Sequence, residues 1–293
     1  MSSLQFLLYH GVRPNSDRES PDIRKKHVSE KQFRQNIRWL KRWMNPISMD
    51  QAAAWLRGQE PLPKRAVCVT FDDGYADNAT TAAKILHEEG VPAIFYLTTG
   101  FIDGTHALWV DRFENAFRKI NPDPKADEKL RAEYKKMPEV EREKKLQELE
   151  EQAGTTELFP LQKPMSWDQA KDLLNQGFQI GAHTVTHPIL AACTPERQNQ
   201  EILLSKKRIE EKLGIECRHF AFPNGQPSDW NSDVVTAIKQ AGFETCLTTI
   251  DGTVKRHDDP FLLKRNPVDY WSDPLRFALT ALNLREKLRA IKR

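Results

Sequence analysis

Strand-like and helix-like hydrophobic patterns alternate along most of this 293-residue sequence, and that alternation predicts an α/β fold whose parallel sheet closes into a barrel. Two further observations favour a barrel over an open sheet. The chain is long enough to bury one large core. Residues able to do chemistry also gather where apolar runs stop: His10 after 4–9, Asp72 and Asp73 after 68–71, His183 and His187 after 178–181. Strand ends on one rim are where a parallel barrel collects its functional side chains.

Taken in order, 4–9 reads as a buried strand ending at His10-Gly11. Residues 29–44 place Phe33, Ile37, Leu40 and Met44 at helical spacing behind Ser29 as cap, and 49–56 form a second short helix. Trp39, Trp43 and Trp55 are assigned to packing there. The next strand runs into Thr70-Phe71-Asp72-Asp73-Gly74-Tyr75. Asp-Gly alone is ordinary turn chemistry, yet paired carboxylates at a strand end can divide cation binding from proton transfer. A helix over 78–89 stops at Gly90, and 92–98 is again a strand. The loop 100–109 then belongs to the same rim, where Trp109 with Asp111 lines a substrate groove, core packing of Trp109 being the alternative.

Between 123 and 151 the composition turns to Lys, Arg and Glu with few apolar residues, the pattern of solvated helices inserted at about 105–160. Strand-helix rhythm resumes with a helix from 166 to Gly177 and the strand 178–181, followed by His183-Thr184-Val185-Thr186-His187. Two histidines four apart lie on one face of a helical turn and can reach one cation. A helix over 195–213 and a strand over 217–222 lead into a turn-rich loop that carries Pro223 and Asn224. A helix over 233–241, a strand over 245–249 and a last strand over 261–265 complete the barrel, giving a domain over 1–274. Residues 275–293 are apolar on one side through Leu275, Phe277, Leu279, Leu282 and Leu288 and basic from Arg285 onward. They form a packed terminal helix or a basic amphipathic helix that meets anionic lipid.

Composition narrows the partners. With 44 basic against 41 acidic residues the formal charge is +3, too slight to argue for nucleic acid. The four cysteines, Cys68, Cys193, Cys217 and Cys246, lack CxxC spacing, and three lie in apolar strand-like runs, which points to free thiols in a reducing compartment. The first ten residues carry neither the basic flank nor the apolar length of a signal peptide or membrane span. The expectation is a soluble, cytoplasmic protein.

These stretches together resemble the polysaccharide deacetylases of carbohydrate esterase family 4, the NodB homology domain. Thr70-Phe71-Asp72-Asp73-Gly74 is similar to the family's first motif and His183-Thr184-Val185-Thr186-His187 to its second, while Phe220-Ala221-Phe222-Pro223-Asn224-Gly225 is similar to the third. The resemblance implies a distorted (β/α)7 barrel with the charged helical insertion added to it. Carried over residue by residue, it makes Asp72 the general base and gives Asp73, His183 and His187 to a divalent metal. Two imidazoles and a carboxylate suit Zn2+ and leave a position for water, with Ni2+, Co2+ or Fe2+ as alternatives.

Two departures stand out. Ala221 occupies the place where the third motif holds an arginine that braces the catalytic aspartate, and Arg265 is the candidate replacement. The family's last motif ends its final strand with an acid histidine, whereas 261–265 has none. Tyr9-His10-Gly11 resembles the opening of the branch acting on poly-N-acetylglucosamine, where the acid histidine comes first. First and last strands are neighbours in a closed barrel, so His10 can fill that space.

The implied reaction is metal-dependent removal of N-acetyl groups from an amino-sugar saccharide. Asp72 and His10 are catalytic; the backbone of Tyr75 serves the oxyanion; and Trp109, Pro223, Asn224 and Arg265 surround the substrate or the developing charge. The expected substrate is a cytoplasmic glycan, including a lipid-linked intermediate reached along the C-terminal helix. A same-fold amidohydrolase of small imides, ureides or formamides and an inactive saccharide-binding module are the rival readings, the second kept in view by Ala221.

Overall fold

The structure is a computed structural model that describes residues 3–17, 22, 25–121, 123–268, 273–282 and 284. Its centre is a curled sheet of parallel strands, β1 (Ser3–Tyr9), β2 (Ala66–Phe71), β3 (Ala93–Leu97), β4 (Gln179–Ala182), β5 (His219–Ala221), β6 (Thr245–Leu247) and β7 (Asn266–Pro267). Each of β2 to β6 pairs with the strand before it, and β7 pairs with β1. The segment leading into β7 crosses the remaining gap. Leu263 bridges to Leu247 of β6, Arg265 N–H donates to Ile250 O at 3.0 Å, and Val268 N–H donates to Leu8 O at 2.9 Å. The last strand thus lies slightly later than 261–265. Phe261 and Leu262 belong to a turn, and the parallel bridge to β6 falls at Leu263.

Side chains alternate between two environments, as the strand period of two requires. On β2, Ala66 and Cys68 face one apolar cluster with Leu4, Phe6, Ile94, Tyr96, Ala221 and Leu247. Val67, Val69 and Phe71 face a second, packed with Phe33, Ile37, Leu86, Leu173 and Ile202 from the surrounding helices. Helix α1 (Glu30–Trp43) is capped by Ser29, whose side chain accepts from Gln32 N–H, and buries Phe33, Ile37 and Leu40 at the predicted spacing. Trp55 is buried and Trp39 packs edge-on against Phe277, but Trp43 is 48 % exposed, so it is no packing residue. Cys68, Cys217 and Cys246 are buried free thiols, and Cys193 is a partly buried one.

The charged insertion is more than a solvated face. A single helical turn (Thr99–Ile102) opens this region; helices α2 (Trp109–Ile120), α3 (Pro124–Lys136) and α4 (Glu139–Ala153) follow. Trp109, Phe113, Phe117, Tyr134, Leu146 and Leu149 form their own apolar cluster, which also takes in Tyr75 and Phe101 from the barrel rim. Arg112 ties α2 to α4 through Glu150 and Glu143, at 2.7 and 2.9 Å. Lys135 reaches back across the rim to the buried Asp229, at 2.8 Å. Few apolar residues suffice because most sit on the inward stripe, Val140 and Ile120 being the exposed exceptions.

The terminal helix α5 (Pro274–Ala281) docks by one face. Phe277, Thr280 and Ala281 are buried whereas Leu275 is 70 % exposed, so the apolar residues of this segment do not share one side. Leu288 and the basic residues from Arg285 onward lie outside the described residues. No described helix is long and apolar enough to cross a membrane.

Candidate metal centre

Strands β1 to β7 all run the same way, so the residues just beyond their C-terminal ends meet on one rim. Hydrogen bonds continue the ladder there: Asp72 N–H donates to Tyr9 O at 3.0 Å, and His183 N–H donates to Leu97 O at 2.9 Å. Asp72 follows Ala66, Cys68 and Thr70 in the period of two and falls on the barrel side. Asp73 would fall on the helix side by the same count. Its backbone instead adopts φ +77°, a left-handed conformation rare outside glycine, which turns the carboxylate back toward the rim. Gly74 continues the turn at φ +90°, where an added Cβ would stand 2.9 Å from Ile102 Cδ1.

The carboxylate of Asp73 divides its two oxygens. Oδ1 lies 3.5 Å from His183 Nε2 and 3.3 Å from His187 Nε2, while Oδ2 accepts from Lys26 Nζ at 3.2 Å. One ligand atom from each of Asp73, His183 and His187 fits within 4.8 Å of the others, and all three residues are buried. His183 Nδ1 lies 2.8 Å from Ala221 O. A carbonyl can only accept, so Nδ1 carries the proton and Nε2 presents its lone pair inward, the arrangement of a metal-ligating imidazole. Burial would raise the Asp73 pKa, yet Lys26 and the two imidazoles hold it well below the usual carboxylate range. An ionised carboxylate and inward imidazole nitrogens are the donor set of a transition-metal site, and the residues fit one.

The two histidines do not sit on a helical turn. Strand β4 ends at Ala182 and 183–187 is a loop, with Thr184 at φ +67° and His187 at φ +60°. Glu201, fully buried on the helix Pro195–Leu213, shapes it: Oε2 accepts from Val185 and Thr186 N–H at 2.7 and 2.9 Å, and Oε1 accepts from Thr186 Oγ1 at 2.7 Å. A helical turn satisfies these amides internally; here a carboxylate does so, leaving the chain free to aim both imidazoles at Asp73.

Asp72 stands beside this trio, 4.0 Å from His183 Nε2, and is 2 % exposed. Both its oxygens accept from Arg265, Oδ1 from Nη1 and Oδ2 from Nη2, each at 2.7 Å. The guanidinium is itself fixed by Thr248 O at 2.8 Å and Thr70 Oγ1 at 3.2 Å. Burial is the largest single influence and pushes the Asp72 pKa up, but the charge and hydrogen bonds of Arg265 together with the charges of His183 and His10 make the net shift downward. Arg265 is completely buried. It backs Asp72 from inside the barrel and is not a substrate-facing residue.

His10 follows β1, where Tyr9 pairs with Phe71 of β2, and thus stands alongside Asp72. Burial pushes its pKa down to about 4; the charges of Asp73 and Asp72 oppose that shift, while those of Lys26 and Arg265 add to it. Asn78 Nδ2 donates to His10 O at 2.8 Å and fixes its backbone. Tyr75 is buried, with its hydroxyl donating to Asp111 at 2.8 Å and accepting from Lys26 at 3.0 Å. Asp111 is 1 % exposed and belongs to this network, so it lines no groove. Trp109 opens helix α2 and is 6 % exposed, rather than lying in a loop. Pro223 and Asn224 follow β5 on the same rim, with Asn224 at φ +59°.

Sequence reasoning missed Lys26 and Glu201. Lys26 lies in a charged stretch without periodicity, and Glu201 is one acidic residue among several on a long helix. Only the three-dimensional position of each marks it.

The comparisons with known proteins agree with this geometry. The family model of polysaccharide deacetylase matches residues 59–246, more than half of the chain. The Bacillus subtilis (strain 168) protein YxkH is 21 % identical over 265 residues, covering 90 % of this chain and 71 % of YxkH. The Escherichia coli (strain K12) poly-beta-1,6-N-acetyl-D-glucosamine N-deacetylase is 33 % identical over 90 residues, which are 30 % of this chain and 13 % of that protein. Among solved structures, the Streptococcus pyogenes deacetylase PplD in complex with acetate superposes with a TM-score of 0.67 at 18 % identity, covering 95 % of this chain and 98 % of that one. The shared fold, the matched family model and the rim on which its motifs meet make this chain a member of the polysaccharide deacetylase family.

Proposed function

We propose that the protein is a metal-dependent hydrolase that removes N-acetyl groups from an amino-sugar glycan and releases acetate. The observation that carries this reading is the buried cluster of Asp73, His183 and His187, with a separately braced carboxylate, Asp72, beside it. The family to which the chain belongs and the N-deacetylase named among its relatives support the choice of reaction.

Asp73, His183 and His187 would hold the ion, and Zn2+ is our choice for a site of two nitrogens and one carboxylate. Such an ion lowers the pKa of bound water and polarises the acetamide carbonyl. Asp72 accepts a proton from the attacking water, and Arg265 keeps it ionised beforehand and correctly oriented. Water oxygen bonds to the carbonyl carbon, the C–N bond breaks, and the proton reaches the leaving nitrogen by way of His10. His10 is neutral at rest, since its pKa lies near 4, and can therefore receive that proton before passing it on. In this reading the Tyr75 backbone N–H faces the oxyanion, while Trp109, Pro223 and Asn224 border the sugar.

A cytoplasmic, lipid-linked glycan remains our choice of substrate, approached along the C-terminal segment. Vesicle co-sedimentation with and without residues 274–293 tests it, and binding unchanged by the deletion speaks against it. The reaction itself is tested by acetate release from N-acetylglucosamine oligosaccharides after chelation and zinc readdition. Release that stops with chelator and returns with zinc is expected, with His183→Ala binding no zinc and releasing nothing. Acetate release untouched by the chelator would remove the metal from the account.

A further inference from the structure

Two short strands, Gly11–Arg13 and His27–Ser29, pair in parallel with Gly11 opposite His27. Carried back one residue, that register sets Lys26 level with His10 at the rim. Lys26 is aimed there by a built turn. Lys25 takes φ +53° and its N–H donates to Asp22 O at 3.1 Å, while the Asp22 carboxylate accepts from the N–H groups of Lys26 and His27 at 3.0 and 2.9 Å. The ammonium then lies between two buried carboxylates. It donates to Asp73 Oδ2 at 3.2 Å and to the Tyr75 hydroxyl at 3.0 Å, and stands 3.9 Å from Asp111 Oδ1. Tyr75 closes the set by donating to Asp111 Oδ2 at 2.8 Å. Asp111 belongs to α2, so the charged insertion reaches a metal-ligand residue through the Tyr75 hydroxyl and Lys26.

A neutral amide or hydroxyl could hold Asp73 Oδ2 without opposing a cation, but an ammonium cannot. It draws charge from the carboxylate and repels a divalent ion placed among Asp73, His183 and His187, so it weakens metal binding. At the same time it occupies Oδ2, and only Oδ1, which lies 3.5 and 3.3 Å from the two imidazole nitrogens, is offered to the ion. A catalytic site with three protein ligands needs a position left open for water, and a carboxylate restricted to one oxygen leaves it. A ligand that shares its charge with an ammonium also leaves the ion a stronger Lewis acid.

We propose that Lys26 is a positioning residue that keeps Asp73 a one-oxygen ligand, weakening metal binding while raising the reactivity of the bound ion, and that the insertion holds Lys26 in place through Asp111 and Tyr75. The inference rests on the metal-dependent N-deacetylase reading above. It gives the insertion a part in the reaction that a solvated face lacks.

Zinc affinity, from competition against a colorimetric chelator, and kcat and KM for acetate release from an N-acetylglucosamine oligosaccharide are measured on wild type, Lys26→Met and Tyr75→Phe, with each protein zinc-saturated for the kinetics. Lys26→Met keeps the apolar stem and removes the charge. It should bind zinc about tenfold more tightly, while kcat falls about 10- to 100-fold and KM is unchanged. Tyr75→Phe keeps the ring and the backbone N–H but releases the ammonium, and should move both quantities the same way by less. A residue that merely supports the fold would weaken zinc binding and activity together. Zinc binding that is equal or weaker in the variants, or an unchanged kcat in Lys26→Met, overturns the proposal. If Lys26→Met does not fold, Tyr75→Phe decides alone, because tighter zinc with a lower kcat is required of it too. Zinc affinity is read without substrate, so a wild-type protein that binds zinc and releases no acetate overturns the deacetylase reading instead, and the shift in affinity still decides the role of Lys26. A wild-type protein that binds no zinc overturns both.

Discussion

Asp72 and Asp73 are adjacent, buried and ionised, and what separates them is their neighbours. Arg265 occupies both oxygens of the first, whereas the second keeps Oδ1 for the imidazoles and gives only Oδ2 to Lys26. Replacing Arg265 by Met leaves a buried carboxylate without its cation, which typically costs about 3–5 kcal/mol. Urea denaturation should show a loss of that order, together with a large fall in kcat for acetate release. A partly buried acid makes a different prediction. Asp22 accepts from the N–H groups of Lys26 and His27 and lies 3.5 Å from His27 Nδ1. Burial alone raises its pKa, but these partners prevail and bring it to about 2. A depressed carboxylate stabilises the fold above its unfolded pKa, and that contribution disappears as pH falls from about 4 to about 2. Asp22→Ala should therefore cost about 2 kcal/mol near neutrality, with the difference from wild type narrowing toward pH 2 in a denaturation series. Lys26 hangs from the same segment, so the stability of Asp22 also bears on how Asp73 is held.

Among the elements, the loop 183–187 shows where pattern reading succeeds and where it fails. Spacing of four between His183 and His187 signals a shared target, because residues so close can hardly serve distant sites. It does not reveal the conformation. The helical reading fails since Thr184 and His187 take left-handed angles and a distant carboxylate, Glu201, caps the freed amides. Glu201→Ala should loosen the loop and weaken zinc binding about 10- to 100-fold, the usual cost of losing an outer-shell partner; competition against a colorimetric chelator measures it. The insertion was legible as helices but not as a packed layer, because composition averages over the stripe on which Phe113, Tyr134 and Leu146 lie. Helix α5 gives the converse case. Its sequence reads as amphipathic, yet contact with Trp39 is made by Phe277 while Leu275 faces out. Phe277→Ala should cost about 3–5 kcal/mol if α5 unfolds with the barrel, and a thermal melt will register it.

At the scale of the molecule, parallel closure is what brings His10, Asp72 and Arg265 together although they are far apart in sequence. Alternating strands and helices, and the gathering of acids and histidines at strand ends, were enough to read the barrel and its rim. Sequence also suggested that first and last strands meet. It could not place the junction, since the closing segment owes its pairing to Leu263, Arg265 and Val268 rather than to a long β-branched run. Nor could it see the cavity beside the metal-ligand loop, whose wall comes from three separate stretches, 106–112, 139–143 and 186–197. The central claim is that Asp72 acts as a base beside a metal that other residues hold. Acetate release and bound zinc, measured together on wild-type protein and Asp72→Asn, test it most directly. The account predicts equal zinc content and a kcat lower by about 10²–10⁴-fold in the variant, the range of general-base catalysis. Full activity in Asp72→Asn, or loss of zinc along with activity, would contradict it.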